Sequence, residues 1–383
     1  MMQLFWLSAA VVIYVYFGYP LLLKLRLLGT PAPWLRDEAQ PLISVIVAAH
    51  NEESVIEAKL KNLLSSDYPR ECVEVLIGSD GSSDSTEAIV RKFTADGVGL
   101  ISFPQHQGKS AIQNGLVAKA SGSILVFTDA DCTLSPDALS CLVQNFADDK
   151  IGLVTGIPRF ESIQETSVAR NEGIYLRYET WLRTQESDCG LLAMASGSLF
   201  AIRRCLWKPL DPNVGDDFAL PLQVALMDRR SVLDSRVAAS TRLMQSRAHS
   251  MFNLKVRIVS KDLRALLANR RILNPFRYGA IAISLWSHKL LRWFVPYFLL
   301  ALFAFNIFLA RAPFYRTVLL MQIIFYATAL LGFLLRNSEF AHPLSIPMSF
   351  CVVNFASLIG TAKCLIGYKS GRWKPVRKQS HAV

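Results

Sequence analysis

The chain has 383 residues, 52% of them hydrophobic, and its mean hydropathy of +0.30 is high for a wholly soluble protein. The length suits one sizeable domain plus membrane segments. A net charge of +11 raises nucleic acid as a partner. The basic residues cluster beside apolar runs, however, where anionic lipid headgroups explain them better, so membrane lipids are expected and nucleic acid is not.

The first apolar run, Met1 to Leu23, carries no Asp, Glu, Lys or Arg. It lacks a basic start and a small-residue cleavage site, so 1–28 reads as a retained transmembrane anchor. Lys24, Arg26 and Arg36 follow it and place the middle of the chain in the cytoplasm by the positive-inside rule. Pro31, Pro33 and Pro41 mark a stiff linker over 29–41.

Leu42 to Ala48 is a continuous β-branched run, as in a strand buried on both faces. Asn51 to Leu64 has helical periodicity. A strand is predicted over Val73 to Ile77, a helix over Ser85 to Phe93, and a strand over Gly99 to Phe103. A helix over Lys109 to Ala120 and a strand over Ile124 to Thr128 follow. This alternation predicts an α/β fold with a mainly parallel, doubly wound sheet. Ligands then bind outside the carboxyl ends of the strands, where Asn51, Asp80 and Asp129 fall.

Beyond Gly152 the pattern is less regular. Leu199 to Ile202 reads as a strand and Phe218 to Met227 as a helix. Phe252 to Ala268 is amphipathic, with Lys255, Arg257, Lys261 and Arg264 on it. The segment 276–293 suits an interfacial helix. Three more uncharged runs, Trp293 to Ala310, Thr317 to Leu335 and Phe340 to Ala362, give transmembrane segments within 294–368. The basic tail 369–383 should be cytoplasmic, which conflicts with three full crossings after a cytoplasmic domain. Phe340 to Ala362, with Pro343 and Pro347, is the run expected to be re-entrant or interfacial. The seven cysteines form no C-x-x-C pair and no zinc spacing, so they read as reduced and structural.

The chemistry lies in short acidic sites. Asp129-Ala130-Asp131 follows a buried strand, and its two carboxylates suit a hard cation, Mg²⁺ or Mn²⁺, that shares its shell with a diphosphate. Asp80, before Gly81, can accept from a base N–H. The alternative reading there is a strand-to-helix turn with Ser83 or Asp84 as cap. Asn51 and Glu52 carry the same two readings. Lys109 opens a predicted helix, where acids are the usual residues, so an anionic ligand is expected beside it. Asp216 and Asp217 also precede a helix, and either cap it or supply a general base, Asp217, beside an acceptor hydroxyl.

In order, the chain carries A-A-H-N-E-E at 48–53, S-D-G-S-S-D-S-T at 79–86 and G-K-S-A-I-Q-N-G at 108–115. T-D-A-D at 128–131, S-G-S-L-F-A-I-R-R at 196–204 and G-D-D-F-A-L at 215–220 follow. Together these resemble the family 2 glycosyltransferases of the GT-A fold, in the membrane-embedded branch with cellulose, hyaluronan and poly-N-acetylglucosamine synthases. The resemblance covers roughly 42–293, with a weaker echo at Trp373 to Arg377, and implies a GT-A domain over 42–275. It implies that Asn51, Glu52 and Asp80 contact the nucleotide, Asp129 the ribose or sugar, Asp131 the metal, and that Asp217 is the base. It also sets Gly197 and Ser198, with Asp216, beside the acceptor. The family's Gln-x-x-Arg-Trp is reduced to Leu254-Lys255-Val256-Arg257-Ile258, which keeps only Arg257. His50 stands where Tyr is common, and Ser79 replaces the first acid of D-D-G.

The expected protein is an integral membrane enzyme of a bacterial inner membrane with a cytoplasmic catalytic domain. It moves a sugar by inversion from a nucleotide-sugar, a UDP-sugar by expectation, to a lipid-linked or growing glycan in envelope or exopolysaccharide synthesis. Polysaccharide-export proteins are the expected partners. A processive synthase that extrudes its polymer is the main alternative, disfavoured by the missing Trp. A non-catalytic nucleotide-binding subunit is the alternative of another class.

Overall fold

The structure is a computed structural model that describes residues 1–27, 32–162, 167–243, 248–335 and 344–368. Part of the 29–41 linker, the 369–383 tail and Trp373 to Arg377 lie outside the described residues.

Eight strands form one sheet: β1 (Ile43–Ala49), β2 (Val73–Asp80), β3 (Val98–Phe103), β4 (Ile124–Thr128), β5 (Cys132–Leu134), β6 (Ile151–Ser162), β7 (Leu199–Arg203) and β8 (Arg230–Leu243). Their order is β3-β2-β1-β4-β7-β6-β8-β5. The first four strands pair in parallel, Ile43 opposite Val73 on one side and Ile124 on the other. β7 runs antiparallel to both β4 and β6, while β6 pairs with β8 in parallel. The chain winds from β1 to β3 in one direction and then crosses back to β4. The strand order therefore reverses between β1 and β4, where such sheets open a crevice.

Side chains alternate across the sheet. Val45, Val47 and Val126 enter one buried layer with Leu139 and Val232, whereas Ile46, Leu125 and Phe127 enter the other with Phe200 and Phe218. Burial on both faces explains why these strands read as unbroken apolar runs. Each large side chain so buried contributes about 1.5–3 kcal/mol.

Among the described residues, four helices are long and apolar enough to cross a membrane: Met2–Leu25, Ala280–Leu309, Pro313–Leu334 and Ser345–Leu365. The 276–293 stretch is divided between a short Pro275–Tyr278 helix and the start of Ala280–Leu309. Pro347 falls in the first turn of Ser345–Leu365, where no backbone donor is needed, so the helix is unbroken there.

A buried polar network joins the first two of these helices to the soluble domain. Tyr19 Oη donates to Glu186 at 2.7 Å and lies 2.8 Å from Ser284 Oγ. His288 bridges Glu186 at 2.8 Å and Glu179 at 2.9 Å, and Arg292 donates to Glu179 at 2.9 Å. Both membrane helices carry a π-helical turn here, Tyr14–Gly18 and Leu285–Leu290, and Tyr14 meets Ser287 across them at 2.7 Å.

Candidate active site

At the end of β1 the chain turns through Asn51, whose φ of 54° is left-handed, a conformation Asn tolerates better than most residues. Asn51 Oδ1 accepts from the Ser83 amide at 2.8 Å, and the Glu52 amide donates to Thr86 Oγ1 at 2.8 Å. Glu53 accepts from the Ser85 amide at 3.0 Å. The N-E-E and D-G-S-S-D-S-T segments are thus laced to each other, and Glu52 is buried.

Asp80 ends β2. Its Oδ1 accepts from the Gln107 amide at 2.6 Å and its Oδ2 from the Gly108 amide at 2.8 Å. His106 Nδ1 lies 2.8 Å from Oδ2. Gly81, with φ of 63°, leaves room for this loop: a Cβ there would sit 2.8 Å from the His106 nitrogen. His50 stacks on His106 with ring centroids 4.1 Å apart. Asp80 therefore fixes the loop that delivers Lys109.

Lys109 begins the Lys109–Val117 helix. Its Nζ lies 2.9 Å from Asp129 Oδ1, at the end of β4, and 3.1 Å from Asp216 Oδ2. Gln113 on the same helix donates to Asp216 Oδ2 at 2.7 Å. Asn114 exchanges two hydrogen bonds with Leu210, at 2.8 and 2.9 Å. The G-K-S-A-I-Q-N-G segment is thus the dock for the loop that leads into Asp216 and Asp217.

Asp217 lies beside it, in the first turn of the Asp216–Leu226 helix. Its backbone carbonyl accepts from the Ala195 amide at 2.7 Å, which ties it to the 195–198 loop. Gly197 faces the carboxylate directly: a Cβ there would lie 3.7 Å from Asp217 Oδ2. Ser198 Oγ is 2.8 Å from Ser196 Oγ, and its carbonyl accepts from Thr128 Oγ1 at 2.9 Å. A Cβ at Gly215 would lie 2.8 Å from Asp217 Oδ1 and 3.2 Å from Asp262 Oδ1, so two carboxylates crowd one face of that glycine.

The electrostatics divide the acids. Burial, then the charge of Asp216, pushes Asp217 up to about 6, while Lys109 and Arg183 pull the other way. Burial, then Asp217, raises Asp262 well above the carboxylate range. Burial alone would also raise Asp216, but Lys109 and Gln113 hold it below its ordinary value. Burial opposes the charge on Lys109, yet Asp129 and Asp216 raise it further. Desolvation, then Asp129, raises Asp131. The site thus holds one acid kept ionised and a neighbour poised near neutrality.

Of the residues expected to act, Lys109, Asp129, Asp216, Asp217 and Gly197 converge, with Asp131 and Ser198 at the margin. Asn51, Glu52 and Asp80 form a second group at the ends of β1 and β2, joined to the first through the 106–109 loop. Arg257 is half-buried on the Ala248–Ala268 helix, where burial lowers it. Lys261, one turn further on, is the cation of that helix on which the charges of Asp216 and Asp217 act, although burial lowers it overall. Lys59, Arg183, Asp262 and Lys289 were not singled out in the sequence. The signal for Lys59 was a charge on an otherwise apolar helix face, beside Ile56, Leu60 and Leu63. Asp262 likewise interrupts the buried stripe of Val259, Leu263 and Leu266.

Residues 44–208 match the family described as Glycosyl transferase family 2. A probable glycosyltransferase of Bacillus subtilis, YdaM, is 31% identical over 199 residues, 48% of this chain and 46% of that protein. The poly-beta-1,6-N-acetyl-D-glucosamine synthase of Staphylococcus aureus is 29% identical over 163 residues, 42% of this chain and 38% of its own length. The chain thus spans about half or less of the curated relatives it matches. Among solved structures, the mannosyltransferase PcManGT of Pyrobaculum calidifontis, a complex with GDP-Man and Mn²⁺, superposes with a TM-score of 0.72 at 23% identity. The likeness covers 94% of this chain and 99% of that one, so the fold is shared along nearly the whole length. Residues 44–208 thus match the family 2 glycosyl transferase model and lie on a GT-A core, in a chain whose described residues include four helices of membrane-spanning length.

Proposed function

We propose that this chain is a membrane-integral inverting glycosyltransferase that passes one sugar per encounter from a nucleotide-sugar to a lipid-linked acceptor. The observation that carries the reading is the Lys109 bridge, which holds a diphosphate-side acid, Asp129, and a base-side acid, Asp216, around one crevice. The names of the relatives and of PcManGT support the reaction class.

The donor set fits a divalent cation. Among the described residues no group of three His, Cys, Asp or Glu side chains is placed to hold a metal ion by itself, so Asp129 and Asp131 would supply two carboxylates, with diphosphate oxygens and water as the other ligands. That division suits Mg²⁺ or Mn²⁺. When bound, the ion would neutralise charge gathering on the departing nucleoside diphosphate. Asn51, Glu52 and Asp80 border the nucleotide end. Asp217 takes the proton of the acceptor hydroxyl as that oxygen bonds to the anomeric carbon and the bond to the diphosphate breaks. A carboxylate raised to about 6 is basic enough to accept that proton and still ionised at neutral pH. Gly197 and Ser198 leave room for the acceptor beside it.

Cations surround the base on the membrane side. The charge of Arg183 favours ionised Asp217, and the charges of Lys289 and Lys261 favour ionised Asp262. Lys289 and Arg183 come from segments joined to the apolar helices, and Arg257 lies one turn from Lys261. A phosphate-bearing lipid acceptor matches this arrangement. Ile258 stands where polymer synthases carry the stacking Trp, which supports single addition.

The topology that fits is three crossings and one interfacial helix. At one end of the bundle, Phe5 and Trp6 meet Tyr315 and Phe314. Ser345–Leu365 meets the other helices away from that end and also packs beside the catalytic domain. Phe350 contacts Tyr16, Tyr297 meets Thr361 at 2.9 Å, and Leu344 touches Gly332. The helix also runs along Ala248–Ala268, with Phe355 on Phe252 and Gly360 against Val256 and Val259. With that helix in the interface, the catalytic domain and the basic tail share the cytoplasmic side.

The test is nucleoside diphosphate release by the purified chain from a panel of UDP-, GDP- and dTDP-sugars, with Mn²⁺ and a polyprenyl-linked acceptor extract. Release with one donor, dependent on acceptor, is expected. No release and no nucleotide binding with any donor would overturn the reading.

A further inference from the structure

Lys59 is the deepest cation near the acidic turn, with only 2% of its surface exposed. It stands on the Ile56–Leu64 helix among Ile56, Leu60 and Leu63, where an apolar residue would pack without desolvating a charge. A lysine is rarely buried so fully without partners. Its Nζ donates to Thr128 Oγ1 at 2.8 Å and to the Cys132 carbonyl at 2.7 Å. These partners bracket Asp129 and Asp131. Thr128 Oγ1 in turn donates to the Ser198 carbonyl, at 2.9 Å. Three residues along the helix, Asn62 grips the next strand, donating to the Leu134 carbonyl at 2.9 Å and accepting from its amide at 2.8 Å. One helix thus clamps both ends of the turn, and its buried ammonium is held between Thr128 and Cys132, the residues that flank the two acids.

We propose that Lys59 is a positioning residue for the metal–diphosphate turn, fixing the direction in which Asp129 and Asp131 leave the sheet and offsetting the repulsion between them. This rests on the reading of those two acids given above. Two carboxylates held one residue apart repel each other, and the three-residue turn between β4 and β5 is free to splay unless both ends are tied. Lys59 ties both with one group. It touches neither donor nor acceptor and acts only through Thr128 and Cys132. Because Thr128 also holds Ser198, the same lysine sets the spacing between the diphosphate side and the acceptor side.

The experiment uses the purified full chain and follows free Mn²⁺ by electron paramagnetic resonance during titration with UDP or GDP. In Lys59→Met and in Thr128→Val, the apparent Mn²⁺ affinity in the presence of nucleotide falls about 10- to 100-fold, the range for outer-shell partners of metal ligands. The double variant is no worse than the weaker-binding single, because both act through one contact. Lys59→Gln, which keeps a donor, retains part of the affinity. Nucleotide binding without metal stays within about twofold, and turnover at saturating Mn²⁺ recovers more than affinity does. Mn²⁺ affinity unchanged in both single variants, even with a lowered melting temperature, would make Lys59 a structural residue only and overturn the proposal. Should Lys59→Met fail to fold, Thr128→Val decides. Wild-type protein that binds no nucleotide with Mn²⁺ would overturn the glycosyltransferase reading itself, and the Lys59 proposal with it.

Discussion

Lys109 Nζ lies 3.1 Å from Asp216 Oδ2, and 2.9 Å separates the same ammonium from Asp129. One cation therefore ties the acid at the end of β4 to the acid beside Asp217, the proposed base. Replacing Lys109 with Met leaves the buried Asp216 carboxylate, and the more exposed Asp129, without their counter-charge, a loss that for Asp216 is comparable to breaking a buried ion pair. Lys109→Met is expected to lose about 10²-fold or more in turnover, in line with removal of one preorganised electrostatic group. Because Lys109 also lowers Asp217, the acid limb of any residual activity should move to higher pH. A pH–rate profile that falls in height without moving would contradict this coupling.

The pH dependence of the wild-type enzyme follows from Asp217. Its carboxyl is raised to about 6 by burial and by Asp216, and as the proposed base it works only when ionised. Activity should rise between about pH 5 and 7 with an apparent pKa near 6, a value that belongs to the coupled group of acids. Stability has the opposite sign. A carboxyl raised on folding favours the folded state below its unfolded value, and that contribution fades as pH rises through the folded value. Asp217→Asn is therefore expected to melt at a higher temperature than wild type at pH 7, with the gap narrowing toward pH 4. Equal melting curves at both pH values would count against the raised carboxyl.

Two glycines separate occupancy of the acceptor space from displacement of the base. A Cβ at Gly197 meets Asp217 Oδ2 at an ordinary 3.7 Å, whereas one at Gly215 comes within 2.8 Å of Asp217 Oδ1. Gly197→Ala should raise the acceptor KM about tenfold with a small change in kcat, as lost acceptor binding does. Gly215→Ala should lower kcat instead. The reverse pattern in steady-state kinetics would mean that the acceptor does not pass beside Gly197.

The topology is tested with fusions at the C-terminus. With Ser345–Leu365 in the interface, a green fluorescent protein fusion should fluoresce and an alkaline phosphatase fusion should be inactive. Active phosphatase would mean that this helix crosses.

Much of the sheet was legible because β1, β2 and β4 are buried on both faces and so write unbroken apolar runs. The expected strand over Ile124 to Thr128 forms with those bounds. The helix read from Asn51 starts only at Ile56, because Asn51 is left-handed and the residues after it bond across to Ser83 and Thr86. β8 was not foreseen: Asp234 and Arg236 interrupt its apolar pattern and pair with each other at 2.7 Å. The acidic sites stood out as short motifs at strand ends and helix starts. Lys59 and Asp262 did not, since each is a single charge on an apolar helix face, and only the folded chain shows which carboxylates they meet.

The most direct test of the central claim compares wild type with Asp217→Asn in two assays, nucleoside diphosphate release and Mn²⁺-dependent nucleotide binding. If Asp217 is the base, turnover falls by about 10²- to 10⁴-fold, the range for general-base removal, while nucleotide binding stays within about threefold of wild type. Turnover that survives the substitution would contradict the account.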